Sequence, residues 1–429
     1  MQTIFTTEQL ATPRIAEANT ILRKCVHCGF CTATCPTYVL LGDELDSPRG
    51  RIYLIKNMLE SGEAATAQTV KHIDRCLSCL SCMTTCPSGV NYMHLIDEAR
   101  AHVEETYKRP LIERLLRDVL AFAMPRPALF RLSLIAAKLA SPLKNVAESF
   151  GATRIAALLS LVPKVMPAPE RFGAPGTYAA EGRKRGRVAL LMGCVQSVLD
   201  PGINAATLRL LTRLGYEVVV SGEETCCGSL THHMGKEADA LARAKRSVDQ
   251  WTAADVECVI ITASGCGTTI KDYGHMLRLD AAYAGEAQAI SAKAKDVTEF
   301  LALETLPEAK MSLKLAYHSA CSMQHGQQIK SEPLTLLRRA GFEVMEVPEG
   351  HLCCGSAGTY NILQPEIATR LRDRKVANIE SLAPQVIATG NIGCITQIGM
   401  GTAIPIVHTI ELLDWAYGGP KPPKLDGIA

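Results

Sequence analysis

Charge of one sign, aromatic side chains and long apolar runs are all scarce in this sequence. Its 429 residues carry 45 basic and 43 acidic side chains, for a formal net charge of +2, and 5% are aromatic. This balance creates no field that attracts nucleic acid, so we expect no nucleic-acid partner. The most apolar region, from Leu111 to Leu143, is broken by prolines and basic residues. It falls short of the roughly 18 apolar residues of a membrane span, so we expect no transmembrane segment.

A secretory leader is not recognised either, because the opening residues are polar and interrupted by charge. We therefore expect a cytoplasmic protein, soluble or peripheral on the cytoplasmic face of the inner membrane. Cysteine, in contrast, is abundant, with 17 residues. In a reducing compartment, clustered cysteines are typical of metal ligands or catalytic groups rather than of disulfide bridges.

The chain divides by composition into a cysteine-rich head, a middle region and a tail with an internal repeat. The head, residues 1–108, has helical patterns after each of its two cysteine runs. The middle, 109–185, predicts a helical connector that ends in a Pro/Gly-rich linker. In the tail, strand and helix patterns alternate twice at an offset of 126 to 128 residues. That alternation predicts one parallel α/β sheet in each of two lobes, 186–305 and 306–429.

Both cysteine runs of the head have the spacing C-x-x-C-x-x-C-x-x-x-C-P. Three thiolates at this spacing bind three irons of one cubane, and the fourth, before the proline, reaches the other cluster. The head is therefore predicted to be a mainly α-helical dicluster ferredoxin domain with two 4Fe–4S clusters and crossed ligands. The predicted ligands of cluster 1 are Cys25, Cys28, Cys31 and Cys86. The predicted ligands of cluster 2 are Cys76, Cys79, Cys82 and Cys35.

Zinc is the alternative metal for paired C-x-x-C motifs, but a zinc site gathers four ligands in one place. Each run here has three close thiols and a distant one, which suits crossed cubanes better. His27 and His94 lie near the runs and are interpreted as surface or hydrogen-bonding residues, since four thiolates complete each cubane. Clusters ligated in this way transfer single electrons and leave no open site for a substrate. The predicted role of the head is electron transport.

Each lobe of the tail has four cysteines in matching positions, including an adjacent pair followed by glycine. They are Cys194, Cys226, Cys227 and Cys266 in the first lobe, and Cys321, Cys353, Cys354 and Cys394 in the second. Loops at the carboxyl ends of parallel strands meet at one edge of a sheet, so we expect each set to line one site. The last cysteine of each set is expected in a glycine-containing loop.

A further cluster, another metal or a redox thiol site would each fit these positions, and buried structural thiols are the alternative. The remaining cysteine, Cys258, lies in an apolar strand pattern and is predicted to be a core residue. Histidines near the lobe cysteines could tune or bind a metal site, although they are more readily interpreted as ordinary loop residues. They are His232, His233, His318 and His351.

Three parts of the chain resemble the glycolate oxidase iron–sulfur subunit family: residues 23–60, RKCVHCGFCTATCPTYVLLGDELDSPRGRIYLIKNMLE; residues 74–92, DRCLSCLSCMTTCPSGVNY; and the two CCG lobes. The resemblance implies a complex with two FAD-type subunits that oxidise glycolate to glyoxylate and pass electrons to this chain. It places FAD on those partner subunits only, and it implies a membrane acceptor, such as quinone, for the electrons.

The same layout is similar to the anaerobic glycerol-3-phosphate dehydrogenase C subunit and the heterodisulfide reductase D subunit. The alternative is therefore an iron–sulfur subunit of a related 2-hydroxyacid, glycerol-3-phosphate or heterodisulfide oxidoreductase with catalysis at a CCG lobe. Lobes of the heterodisulfide type end in C-x-x-C, but Thr269 and Gln397 replace the second cysteine here. With one thiol fewer, each lobe is open to a four-cysteine cluster, another metal or none. A self-contained disulfide or quinone reductase and a zinc-stabilised scaffold are rival interpretations.

Overall fold

The protein is described by a computed structural model that covers residues 1–163, 165–168, 172–222 and 226–428. Thr225 of the first CCG motif and residues 169–171 of the predicted linker lie outside the described residues. Within the described part of the chain, no helix is both long and apolar enough to cross a membrane.

The head is helical, as the sequence predicts. Its helices are α1 Thr7–Leu10, α2 Pro13–Lys24, α3 Pro36–Leu41, α4 Pro48–Ser61, α5 Ala67–Asp74, α6 Ser81–Thr85 and α7 Tyr92–Thr106. Local sequence sets the ends of α4: Ser47 accepts a hydrogen bond from the Gly50 amide as N-cap, Pro48 occupies the first turn, and Gly62 ends the helix with a φ of 65°. A short 3₁₀ turn, Phe30–Thr32, lies within the first cysteine run, and another, Glu44–Asp46, precedes α4.

A helical connector follows the head. It consists of α8 Leu111–Ala123, α9 Pro127–Ala140, a 3₁₀ turn Ser141–Leu143, α10 Lys144–Ser149 and α11 Thr153–Ser160. Proline in the first turn of α9 separates it from α8, since proline favours a helix start and disfavours a helix interior. One face of this pair is buried, through Leu120 on α8 and through Phe130 and Leu134 on α9. The opposite face is exposed and mostly apolar.

The first lobe contains a sheet with strand order β1-β3-β2-β4-β5. Its strands are β1 Gly176–Tyr178, β2 Gly186–Leu190, β3 Tyr216–Val220, β4 Cys258–Ile261 and β5 Ala294–Asp296. Its helices are α12 Gln196–Leu199, α13 Gly202–Arg213, α14 Ser229–His233, α15 Glu237–Ala253, α16 Ser264–Lys271, α17 Tyr273–Met276, α18 Ala284–Lys293 and α19 Val297–Leu301. Neighbouring strands are parallel except β1, which pairs antiparallel with β3 and lies before residue 186.

The second lobe repeats this pattern with strand order β7-β6-β8-β9, all parallel. Its strands are β6 Lys314–Tyr317, β7 Glu343–Glu346, β8 Val386–Thr389 and β9 Ile406–His408. Its helices are α20 Glu332–Arg339, α21 Tyr360–Leu363, α22 Pro365–Glu380, α23 Ile392–Gly399 and α24 Thr409–Ala416, with a π turn Ser322–Gly326 and a 3₁₀ turn Pro423–Leu425. The two α/β lobes with parallel strands therefore agree with the predicted fold class.

The two lobes pack on each other in a reciprocal way. Helix α13 contacts α24, and α19 contacts α20, so the first long helix of each lobe meets the last helix of the other. Buried residues of both sheets belong to one apolar core, which includes Cys258 on β4. His408 Nε2 lies 2.8 Å from the Thr262 carbonyl oxygen across the contact. This packing brings the carboxyl edges of both sheets to the same side of the molecule.

Candidate metal centres

The two cysteine runs of the head form loops of the same backbone shape. His27 and Gly29 have positive φ in the first run, and Ser78 and Leu80 have positive φ in the second, at matching positions. Left-handed backbone is costly for residues other than glycine, so its recurrence at these positions reflects a constraint on the loop. The shape turns amides inward: the Ser78 amide donates to Cys76 Sγ at 3.5 Å. Both runs therefore form tight loops of one backbone shape around their cysteines.

The residues predicted for cluster 1 meet at one small cavity of about 30 Å³. Its cysteines are Cys25, Cys28, Cys31 and Cys86, together with Cys82. Cys28 is exposed, and the neighbouring Val26 and Phe30 side chains are 67% and 63% exposed. Burial raises the pKa of the Cys31 thiol to about 11, so binding a metal there at neutral pH releases a proton. This set lies at the surface.

The residues predicted for cluster 2 lie deeper. Burial, with Cys321, Cys35 and Cys76 as neighbours, raises the pKa of Cys79 well above its usual value. The pKa of Cys82 is raised in the same way by burial and by the thiols around it. Cys35 thus lies beside the second run, and Cys86 beside the first, which is the arrangement that crossed ligation requires. The ligation itself stays a prediction.

A buried arginine contacts one of the cysteines predicted to bind cluster 2. Arg51 is 1% exposed, and its Nη1 lies 3.7 Å from Cys35 Sγ. It also donates to the His72 carbonyl oxygen at 2.7 Å and to Asp46 Oδ1 at 3.2 Å. Asp46 is itself held by His72 at 2.9 Å and by Arg75 at 2.7 Å. A fixed positive charge therefore lies beside the proposed second cluster, in surroundings with every partner satisfied.

The lobe cysteines lie after the carboxyl ends of their strands, as expected, and most are buried. In the first lobe Cys194 is hydrogen-bonded with Cys226, and Cys227 with Cys266. The second lobe repeats these pairs with Cys321 and Cys353, and with Cys354 and Cys394, whose Sγ atoms are 3.4 Å apart. The prediction of a glycine loop for the last cysteine is wrong, because Cys266 and Cys394 lie in the first turns of α16 and α23.

All eight lobe cysteines line a single cavity of about 440 Å³, and two head cysteines, Cys76 and Cys79, line it as well. Leu77 and Cys79 pack in one apolar cluster with Cys321 and Cys353, which joins the second head site to the second lobe. The connector closes another side of the cavity with α8 and α9. Sequence reasoning placed one site in each lobe; it gave no signal that both lobes and the head share a cavity.

Three arginines on the head and connector also line this cavity. They are Arg100, Arg109 and Arg117. Asp74 accepts from Arg109 at 2.6 Å and lies 3.1 Å from Arg117. Glu113 also lies 2.8 Å from Arg109 and 3.5 Å from Arg117, and Asp97 lies 3.9 Å from Arg100, so acidic partners offset the charge of all three arginines. The rest of this wall is mainly apolar.

The histidines near the cysteines fall into two classes. His94 lies 2.9 Å from Asp272 and stacks on His275 with 3.4 Å between ring centroids, so it joins the head to the first lobe. His232 Nε2 lies 3.2 Å from Asp97. These are structural contacts, although His232 lies in α14 and not in a loop as the sequence favoured. His318 differs, because it is fully buried and lies beside Cys354 and Cys394.

Comparison with known proteins gives matches along the whole chain. A 4Fe-4S dicluster domain matches residues 24–90, and a cysteine-rich domain of the CCG type matches residues 188–271 and 315–399. The chain is 45% identical to the glycolate oxidase iron-sulfur subunit of Escherichia coli, over 97% of this chain and 99% of that protein. It is 31% identical to the probable glycolate oxidase iron-sulfur subunit of Bacillus subtilis, over 92% and 94%. Lactate utilization protein A of Exiguobacterium is 30% identical over 53% of this chain and 96% of that protein.

Proposed function

The chain belongs to the glycolate oxidase iron–sulfur subunit family, and on that premise we propose that it carries electrons within a complex that oxidises glycolate to glyoxylate. Two FAD-type subunits would oxidise glycolate, and a membrane acceptor such as quinone would take the electrons. The observation that carries this proposal is the close approach of the head cysteines to the lobe cysteines around one cavity. When bound, 4Fe–4S clusters supply one-electron transfer between a two-electron flavin and the acceptor.

The exposed face around Cys28 is where we place the flavin subunits. Val26 and Phe30 are exposed apolar side chains next to the predicted ligands of cluster 1. Exposed apolar groups beside a redox site suit a protein contact, because docking would exclude water and shorten the distance to the donor. The second ligand set faces inward, so the donor side and the acceptor side of the head are different surfaces.

The acceptor side is the shared cavity. Its wall combines the cysteines with apolar side chains of α8 and α9, including Leu120, Phe130 and Leu134. An apolar cavity with a few polar groups is typical of a site for a small organic ligand. A quinone has this chemistry, with an apolar body and two carbonyl oxygens that accept hydrogen bonds. The arginines of the wall would donate such bonds.

The outer face of α8 and α9 supports peripheral attachment to an anionic membrane. Its apolar side chains are unusually exposed, with Leu111, Ile112 and Leu139 at 79%, 81% and 79%. Basic side chains, among them Arg114 and Lys138, lie on the same helices. Exposed apolar groups mixed with positive charge are typical of helices that lie in a lipid interface. A quinone would then reach the cavity from the lipid side.

Deletion and complementation test this function. We expect deletion of the gene in the source cells to abolish glycolate-dependent dye reduction in extracts, and the intact gene to restore it. A Cys82→Ser variant should fail to restore it, whereas Cys258→Ala, a change at a buried cysteine away from the cavity, should succeed.

The proposed substrate and the proposed clusters are tested independently of each other. If deletion left glycolate-dependent reduction intact but abolished reduction by lactate or glycerol 3-phosphate, the assignment to glycolate would be wrong. The cluster proposal would survive that result. It would fail if anaerobically purified protein held zinc and little iron in place of the roughly eight irons that two cubanes need.

A further inference from the structure

The two lobes differ at one buried position at the end of the central strand. Leu191 follows β2 in the first lobe, and His318 follows β6 in the second. The positions are equivalent in the fold, since the Leu191 amide donates to the Ile260 carbonyl oxygen on β4 at 3.0 Å and the His318 amide to Ala388 on β8 at 2.9 Å. The repeat thus replaces an aliphatic side chain by an imidazole in the second lobe alone.

The His318 ring has unmet hydrogen-bonding capacity. It is 0% exposed, and neither Nδ1 nor Nε2 has a hydrogen-bond partner among the described residues. A neutral imidazole has one donor and one acceptor nitrogen, and burying both without partners is unfavourable. Leucine at the same position would avoid that cost, as the first lobe demonstrates. The described residues therefore leave the ring nitrogens unpartnered, and a bound ligand or metal would supply the missing partner.

The surroundings of the ring identify the missing partner. One ring nitrogen of His318, Cys354 Sγ and Cys394 Sγ all lie within 4.8 Å of one another. Imidazole nitrogen and thiolate sulfur together are typical ligands of zinc and of iron. In the first lobe, Leu191 offers no ligand atom beside Cys227 and Cys266. A ligand set of two thiols and one imidazole is therefore confined to the second lobe.

We propose that His318, Cys354 and Cys394 bind a zinc or iron centre in the second lobe, with the histidine in place of the thiol that this lobe lacks. Lys375 supports an anionic centre at this place. It is 2% exposed, its Nζ donates to the Glu349 carbonyl oxygen at 2.8 Å, and the second-lobe thiols are its electrostatic neighbours. A buried ammonium beside thiolates offsets their negative charge. The proposal holds whichever substrate the partner subunits oxidise.

The test uses the full chain purified anaerobically, with iron and zinc counted per chain. Pulsed EPR then detects nitrogen coupling to a paramagnetic iron centre, and X-ray absorption at the zinc edge detects imidazole bound to zinc. We expect metal in excess of the roughly eight irons of the head. We also expect a histidine nitrogen on that metal, identified as histidine by labelling the wild-type protein with ¹⁵N-histidine. Zinc with imidazole scattering or iron with nitrogen coupling each supports the proposal and distinguishes the metals.

Variants identify the histidine that provides the metal-bound nitrogen. His318→Leu, which copies the first lobe, should lose the nitrogen signal together with the excess metal. His318→Cys should regain the metal without the nitrogen signal. His351→Leu is the matched control, since it removes a histidine two residues from Cys353 and should leave both readouts unchanged. Wild-type protein without nitrogen on any metal, or His318→Leu protein that keeps the signal, would overturn the proposal. If His318→Leu does not fold, His318→Cys, which keeps a metal ligand at this position, decides the assignment.

Discussion

We expect the charge of Arg51 to raise the reduction potential of the proposed second cluster, so that its removal lowers that potential. Arg51 Nη1 is 3.7 Å from Cys35 Sγ. At an effective dielectric constant of about 20, unit charges at that distance interact by about 4 kcal/mol. Reduction adds negative charge that spreads over a cluster, so only part of this energy is felt. For one electron, a tenfold change corresponds to about 60 mV or about 1.4 kcal/mol, so the full interaction would be about 170 mV. We therefore expect a fall of roughly 60–150 mV in Arg51→Met.

The assay is an EPR-monitored redox titration of anaerobic protein with full iron content. Arg51→Lys keeps the charge and should retain most of the wild-type potential, and Arg114→Met removes an exposed arginine far from the cysteines as a control. Asp46 remains paired with His72 and Arg75 in Arg51→Met, so the substitution leaves no unpaired carboxylate that would itself change the potential. An Arg51→Met protein with both clusters present and both potentials unchanged would refute the reasoning.

Three further changes test other parts of the structure. Cys35→Ser should disturb the EPR signal of the cluster held by the second cysteine run, and damage confined to the other cluster would refute crossed ligation. Replacing both Leu115 and Leu139, which are 60% and 79% exposed, by glutamate should abolish co-sedimentation with anionic phospholipid vesicles; unchanged co-sedimentation, or loss of the flavin subunits instead, would show that the face does not bind lipid. Removing iron with a chelator should make residues 1–108 the first site of limited proteolysis, because bound metal holds both loops together; first cleavage in a lobe would contradict this.

Local patterns predicted most of the fold. The helical head and the two α/β lobes follow from hydrophobic periodicity and from the repeat, because both depend on residues close in sequence. The short strand β1 was missed, since Gly176–Tyr178 sits in a glycine- and proline-rich stretch and pairs with β3 forty residues away along the chain. The last lobe cysteines were placed in loops because glycine neighbours hide the start of a helix.

The site was less predictable because it depends on packing between distant parts of the chain. Cysteine spacing identifies the residues, but it does not reveal that Cys79 packs near Cys321. The sequence did not distinguish these histidines from one another. Among the described residues, His318 is the one whose two ring nitrogens are both buried without a hydrogen-bond partner. Comparison of the two lobes contains a sequence signal for it, namely histidine opposite Leu191, although repeat positions also diverge for packing reasons.

Reduction of the clusters by glycolate tests the central claim most directly. The chain would be purified anaerobically together with its flavin subunits, mixed with glycolate and frozen for EPR. We predict cluster signals that match those produced by dithionite in the isolated chain, and their loss when Cys82→Ser replaces the wild-type chain. A flavin that glycolate reduces while every cluster stays oxidised would contradict the proposed role of this chain as the electron carrier.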